Sequence, residues 1–171
     1  MTPTPLQTAL QSAPDRATAG ATRPEQEIFC FIVGGLRLAF SSQHVREVVR
    51  FAPLTPLPRT PAFLLGVSGH RGEVLPVVDL LRFLGKGEGK PSARSRLLIG
   101  TSGSYVVAFL ADSVAGLRRI ALADILPAPL GADASAEYLD GVVGGPGAID
   151  PLHLLNLPKL AAAIRQRVVS R

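Results

Sequence analysis

Residues 63–81, Phe63-Leu64-Leu65-Gly66-Val67-Ser68-Gly69-His70-Arg71-Gly72-Glu73-Val74-Leu75-Pro76-Val77-Val78-Asp79-Leu80-Leu81, read as an apolar strand from Leu64 to Ser68, a tight polar turn, and a second strand from Val74 to Val78. The turn raises His70 and Arg71 between Gly69 and Gly72. Glycines there accept positive φ and let the arginine project while its neighbours pack. Asp79 ends the second strand and predicts a capped short helix, Leu80 to Leu84, because its carboxylate accepts from the orphan N–H groups of a first turn.

The chain around this hairpin has 171 residues, 47% of them apolar, enough for one domain or for two small ones sharing a core. With Gly 17, Pro 15 and only 5% aromatic residues, the composition favours many short strands and turns, a mostly β protein. Cys30 is the only cysteine, which excludes an internal disulfide and a cysteine metal cluster and fits a reducing, cytoplasmic setting. Residues 1–25 lack a basic cluster followed by an apolar run and read as a disordered leader without a secretory signal. No run of 18 apolar residues is present to cross a bilayer as a helix.

Outward from the hairpin, Ile28 to Val33 is a strand, Gly34-Gly35 a turn, and Leu36 to Phe40 its partner, with Cys30 as a small buried hydrophobe. Ser41 starts a helical turn through His44, and Val45 to Phe51 alternates as a half-exposed strand. Pro53, Pro56, Pro58 and Pro61 make the next segment an extended connector. The loop Gly85 to Ser92 reads as the boundary between halves, and it lacks the spacing of a phosphate-binding loop.

Beyond that loop, Arg96 to Gly100, Tyr105 to Ala111 and Val114 to Ile120 read as strands, Ala123 to Leu126 as a helical turn, and Tyr138 to Val143 with Ala148-Ile149 as a short strand pair. Asp150-Pro151 reads as a helix entry mirroring Asp79-Leu80, so the halves repeat one plan. The expected architecture is two small five-stranded barrels, the first over about 28–84 and the second over about 94–156. A basic amphipathic helix over 157–171 closes the chain, with Leu160, Ala163, Ile164 and Val168 on one face.

Catalytic constellations are missing from the pattern. His44, His70 and His153 form no i, i+4 pair, and Ser68, His70 and Asp79 lack a Gly-x-Ser-x-Gly elbow. Glu47, Glu73, Asp79 and Asp112 show no close pairing in sequence that would split two carboxyl pKa values. No catalytic residue, metal or cofactor is therefore expected. The formal charge of +5 and pI of about 10.1 raise nucleic acid as an alternative partner. Four of those charges are Lys159, Arg165, Arg167 and Arg171 in an acid-free tail, and without Trp a stacking groove is poorly supplied, so nucleic acid is not the expected partner.

One family pattern runs through these stretches: Val45-Arg46-Glu47-Val48-Val49, Thr55-Pro56-Leu57-Pro58 with Pro61-Ala62-Phe63, Gly66-Val67 with Arg71-Gly72, and above all Leu75-Pro76-Val77-Val78-Asp79-Leu80. It continues through Val106 to Val114 and Glu137-Tyr138-Leu139-Asp140-Gly141. Over about residues 26–160 the chain resembles the CheW-like domains of bacterial chemosensory systems. That resemblance implies paired SH3-like barrels and a non-catalytic adaptor between the cytoplasmic tip of a methyl-accepting chemoreceptor and the regulatory domain of a CheA-type histidine kinase, with no direct membrane insertion.

By the same resemblance, Val45, Glu47, Gly66, Arg71, Gly72 and Val114 match the receptor-binding surface, and His70 beside them is added as a neighbour on the turn. The chain departs from the pattern at Gly69 and His70, where the family usually has Asn before a Leu-Arg-Gly turn, at Asp112-Ser113, where it has Asp-Gly, and in a shorter last hairpin, Gly141 to Ile149. The short hairpin suggests, as an alternative, a divergent member that holds receptors without engaging the kinase.

Overall fold

The computed structural model describes residues 22–129, 133–145 and 147–170. The expected leader falls almost entirely outside them. Strand β1 (Glu25–Val33) and strand β2 (Leu36–Ser41) form a hairpin across Gly34 and Gly35, whose φ values of 56° and 80° only glycine adopts without strain. A 3-10 turn, Ser42–His44, then carries the chain out of that sheet into β3 (Val45–Arg50). After the proline-rich connector come β4 (Leu64–His70) and β5 (Glu73–Val78), and then helix α1 (Leu80–Leu84).

The second half follows the same order. It runs through β6 (Arg96–Ser102), β7 (Tyr105–Ala111), β8 (Ser113–Ala121), β9 (Ile125–Leu126), β10 (Leu139–Val143), β11 (Leu152–Leu155) and helix α2 (Leu157–Val169). Strand pairing joins these into a five-stranded sheet, β3-β6-β7-β5-β4, and a six-stranded sheet, β8-β1-β2-β11-β10-β9.

This order corrects the expected division of the chain at Gly85 to Ser92. The first barrel takes β3, β4 and β5 from one half and the hairpin β6–β7 from the other, while the second takes β1–β2 and completes itself with β8 to β11. Each exchange is sealed by a parallel pair, β5 with β7 (Val77 opposite Ala108) and β2 with β11 (Leu154 opposite Ala39). A hairpin is fixed locally by its turn, but its outer edge pairs with whatever the chain brings alongside. Two short crossings, at Ser42–His44 and at Asp112, decide that here. Asp112 is held in place by donating its N–H to the Ile32 carbonyl at 2.9 Å and accepting from the Gly34 N–H at 2.7 Å.

Three apolar clusters result. Leu75, Val77, Leu97, Ile99, Ala108 and Leu110 fill the first barrel, and Ile28, Cys30, Ala39, Ile120, Leu152 and Leu154 fill the second. The largest lies between them and takes in Phe31, Phe40, Phe109, both helices and Tyr138. Phe40 links the two sheets there, its ring centroid 5.1 Å from Phe31 on one side and 5.1 Å from Phe109 on the other.

Helix α1 starts as expected, with the buried Asp79 carboxylate accepting from the N–H groups of Leu81 (3.0 Å) and Arg82 (3.4 Å). The corresponding expectation at Asp150-Pro151 is corrected. Leu152–Leu155 is strand β11, needed beside β2, and Ala148-Ile149 is not a strand. The helix begins two residues after Leu155, where the Asn156 cap accepts from the Lys159 N–H at 2.9 Å and a proline occupies the first turn. Ala123 to Leu126, expected as a helical turn, is divided between a 3-10 turn, Leu122–Asp124, and strand β9.

On α2, Leu157, Leu160, Ala161 and Ile164 are buried, and Ala163 and Val168 pack beside them. Its basic residues are not all a solvated face. The Arg167 guanidinium lies 4.5 Å from the centre of the Phe83 ring and donates to the Tyr138 hydroxyl at 3.3 Å, closing that end of the shared core.

Candidate functional site

The first barrel closes at a seam. Beyond β3 the chain returns at Thr55, whose N–H and carbonyl each bond Val67 of β4 at 2.9 Å. Gly66 makes that approach possible: with φ at 146°, a Cβ there would lie 2.5 Å from the Thr55 carbonyl oxygen. Gly66 is buried, and its lack of a side chain serves the closing of the seam that sets the neighbouring hairpin.

That hairpin differs slightly from its sequence reading. His70 is the last residue of β4, paired with Glu73, and the two turn residues are Arg71 and Gly72 with φ of 48° and 81°. Two positive φ values in succession give the turn whose twist matches its strands. Arg71 thus holds a left-handed conformation that costs a side-chain-bearing residue about 1 kcal/mol. Its side chain remains 77% exposed.

Strand β3 faces the tip across the seam. A bulge in its pairing with β6, between Val45 and Glu47, leaves Arg46 as the extra residue. A bulge re-aims a side chain, and here the Arg46 guanidinium donates to Glu73 at 2.7 Å. This bond is the main reason that the Glu73 carboxyl is held below its ordinary pKa. Glu47, half-buried, is the hub of the cluster. Its Oε1 lies 2.9 Å from His70 Nε2 and 3.7 Å from Arg46 Nε, and its Oε2 lies 3.5 Å from an Arg71 Nη.

Beside this charged cluster, Glu27, Phe29, Val45, Glu47 and Leu117 line a shallow cleft of about 320 Å³ between β1, β3 and β8. The structure therefore brings together Val45, Glu47, His70, Arg71 and Gly72. Val114 does not line the cleft; it stands opposite Phe31 in the sheet and packs against the shared core. The exposed apolar residue of β8 is Leu117, 62% exposed and paired with Phe29. Sequence reasoning missed it, although a leucine between Gly116 and Arg118-Arg119 in a polar run was the available signal.

The arrangement offers an exposed guanidinium, a carboxylate and an apolar cleft, the components of a protein-binding surface. Among the described residues, no three His, Cys, Asp or Glu side chains are placed to hold a metal ion. Among the described residues, no helix is long and apolar enough to cross a membrane.

Residues 27–165 match the family model of the CheW-like domain. The chain belongs to the CheW-like domain family. Protein FrzA of Myxococcus xanthus is 60% identical over 159 residues, 93% of this chain and 99% of that protein. The chemotaxis protein CheW of Rhizobium meliloti is 33% identical over 123 residues, 71% of this chain and 79% of its own length. The crystal structure of the scaffolding protein TtCheW from Thermoanaerobacter tengcongensis superposes with a TM-score of 0.69 at 24% identity, covering 81% of this chain and 89% of that one, and shows the fold. The mostly β, two-barrel architecture expected from the sequence is thus that of CheW-like domains, and the chain is a chemotaxis-type coupling protein of this scaffold family.

Proposed function

We propose that this chain joins the cytoplasmic tip of a methyl-accepting chemoreceptor to the regulatory domain of a histidine kinase, and that the receptor meets the surface formed by Arg71, Gly72, Val45, Glu47 and Leu117. The observation that carries this reading is the Arg71 side chain, held on a left-handed turn yet 77% exposed and 3.5 Å from Glu47, which lines the cleft. A residue kept in a strained conformation and left in solvent is serving something other than the packing of its own fold. Arg71 would make charge-assisted bonds to acidic or carbonyl groups of the receptor, with Val45 and Leu117 supplying apolar contact beside it.

The test is association with a receptor signalling-tip fragment. Arg71→Glu should abolish or strongly weaken capture while the thermal unfolding midpoint stays within a degree or two, because exposed substitutions change stability by only about 0.5 kcal/mol. Undiminished capture would refute the surface.

Titrating the kinase regulatory domain separately decides between a full coupler and a receptor-only member. The last hairpin favours the full coupler. Strands β10 and β11 pair over Leu139 to Val143 and Leu152 to Leu155 inside the six-stranded sheet, so the hairpin expected to be clipped keeps its ladder.

A further inference from the structure

We infer that His70 is a positioning residue: it occupies the Glu47 carboxylate so that Arg71 stays available to a partner. This rests on the reading that Arg71 meets the receptor. The geometry behind it is an asymmetry around one carboxylate. Glu47 accepts a hydrogen bond from His70 Nε2 at 2.9 Å, whereas the Arg71 Nη stands 3.5 Å from the other oxygen, an ion pair without a hydrogen bond. Because a carboxylate only accepts, the imidazole must donate from Nε2. The His70 and Glu47 side chains are 20% and 21% exposed, against 77% for Arg71, so the tight bond is the sheltered one and the loose contact is the solvated one.

The other charged groups around His70 do not replace it. Arg46 on β3 is engaged by Glu73 of β5 at 2.7 Å and stands 3.7 Å from Glu47. Remove the imidazole and the half-buried Glu47 oxygen loses its close donor. Among the described residues, Arg71, adjoining His70, is the one cation of the cluster not already hydrogen-bonded, and a guanidinium pairs with a carboxylate in a two-pronged geometry. It would fold down onto Glu47 and leave the turn surface. With His70 present, Arg71 can depart to a partner without leaving Glu47 unpaired, a loss that otherwise opposes binding.

The experiment compares wild type, His70→Leu, His70→Gln, Glu47→Gln and the double variant His70→Leu/Glu47→Gln in two measurements. In the free protein, NMR of the arginine side chains should show a mobile, rapidly exchanging Arg71 guanidinium in wild type and an ordered, slowly exchanging one in His70→Leu. With a receptor signalling-tip fragment, His70→Leu should weaken binding about five-fold, the scale of one exposed ion pair. His70→Gln, whose amide can still donate to Glu47, should restore it, and His70→Leu should have no further effect once Glu47 is Gln. An Arg71 as mobile in His70→Leu as in wild type overturns the inference whatever the receptor does, as does a His70→Leu defect that persists undiminished in the Glu47→Gln background. Failure of the wild-type protein to bind the fragment would refute the receptor reading alone, with the NMR comparison still deciding the role of His70.

Discussion

The carbonyl oxygen of Thr55 lies 2.5 Å from the position that a Cβ on residue 66 would occupy, so the seam of the first barrel admits only glycine there. Gly66→Ala should lower stability by about 2–3 kcal/mol, because backbone must give way on both sides of the Thr55–Val67 bridge. Urea unfolding monitored by circular dichroism measures it. At temperatures where the variant is still folded, receptor binding should be retained, which separates a structural glycine from a contact one.

Arg71 carries the opposite trade. Arg71→Gly relieves the left-handed strain at φ 48° and should raise stability by about 0.5–1 kcal/mol while losing receptor capture. A higher unfolding midpoint together with lost binding is the expected pair of readings. A lower midpoint would mean that Arg71 contributes to its own fold.

Glu73 predicts a response to acid. Its folded pKa is depressed chiefly by the Arg46 hydrogen bond, so its contribution is fully present above the ordinary glutamate range and disappears as pH falls through the lower, folded value. The stability difference between wild type and Glu73→Gln should accordingly be constant from neutral pH down to about pH 5 and shrink at more acid pH. Thermal melts across that range check it, and a gap that widens on acidification contradicts the pairing.

Asp79 is fully buried and surrounded by donors. Besides capping α1, its Oδ2 accepts from the Gly89 N–H at 2.7 Å and lies 3.3 Å from Arg82 Nε. Asp79→Ala strips the Gly89 N–H and Arg82 Nε of their partner at once and should cost about 3 kcal/mol. Asp79→Asn keeps one acceptor oxygen for the cap and should cost less. Equilibrium denaturation orders the three proteins.

Cys30 sits inside the second barrel, and burial pushes its thiol pKa up. Reaction with a thiol reagent such as DTNB should be slow in the native protein and become fast in denaturant. Rapid native labelling would show that the β1–β2 hairpin opens readily.

Local chemistry made much of this legible from the residues. The Arg71-Gly72 turn and the Asp79 cap each depend on neighbours within a few positions, and both lie where the sequence put them, though His70 proved to be a strand residue and not part of the turn tip. What escaped was non-local. Nothing near Ser42–His44 announces that the chain changes sheets there, so the barrels were divided at the glycine-rich loop. Asp150-Pro151 carries a better helix-start signature than its surroundings, and it gives way because Leu152–Leu155 must lie beside β2. The Glu47–His70 bond spans 23 residues and exists only because the Thr55 seam brings β3 to the hairpin tip.

The trading of hairpins between the halves makes them mutually dependent. A chain severed within residues 86–91 would leave two fragments with complementary gaps, each lacking the strands that the other holds. Neither fragment alone would complete either ring. The receptor surface, with Val45, Glu47, Arg71 and Gly72 on one fragment and Leu117 on the other, would then take its working shape only after the two had reassociated.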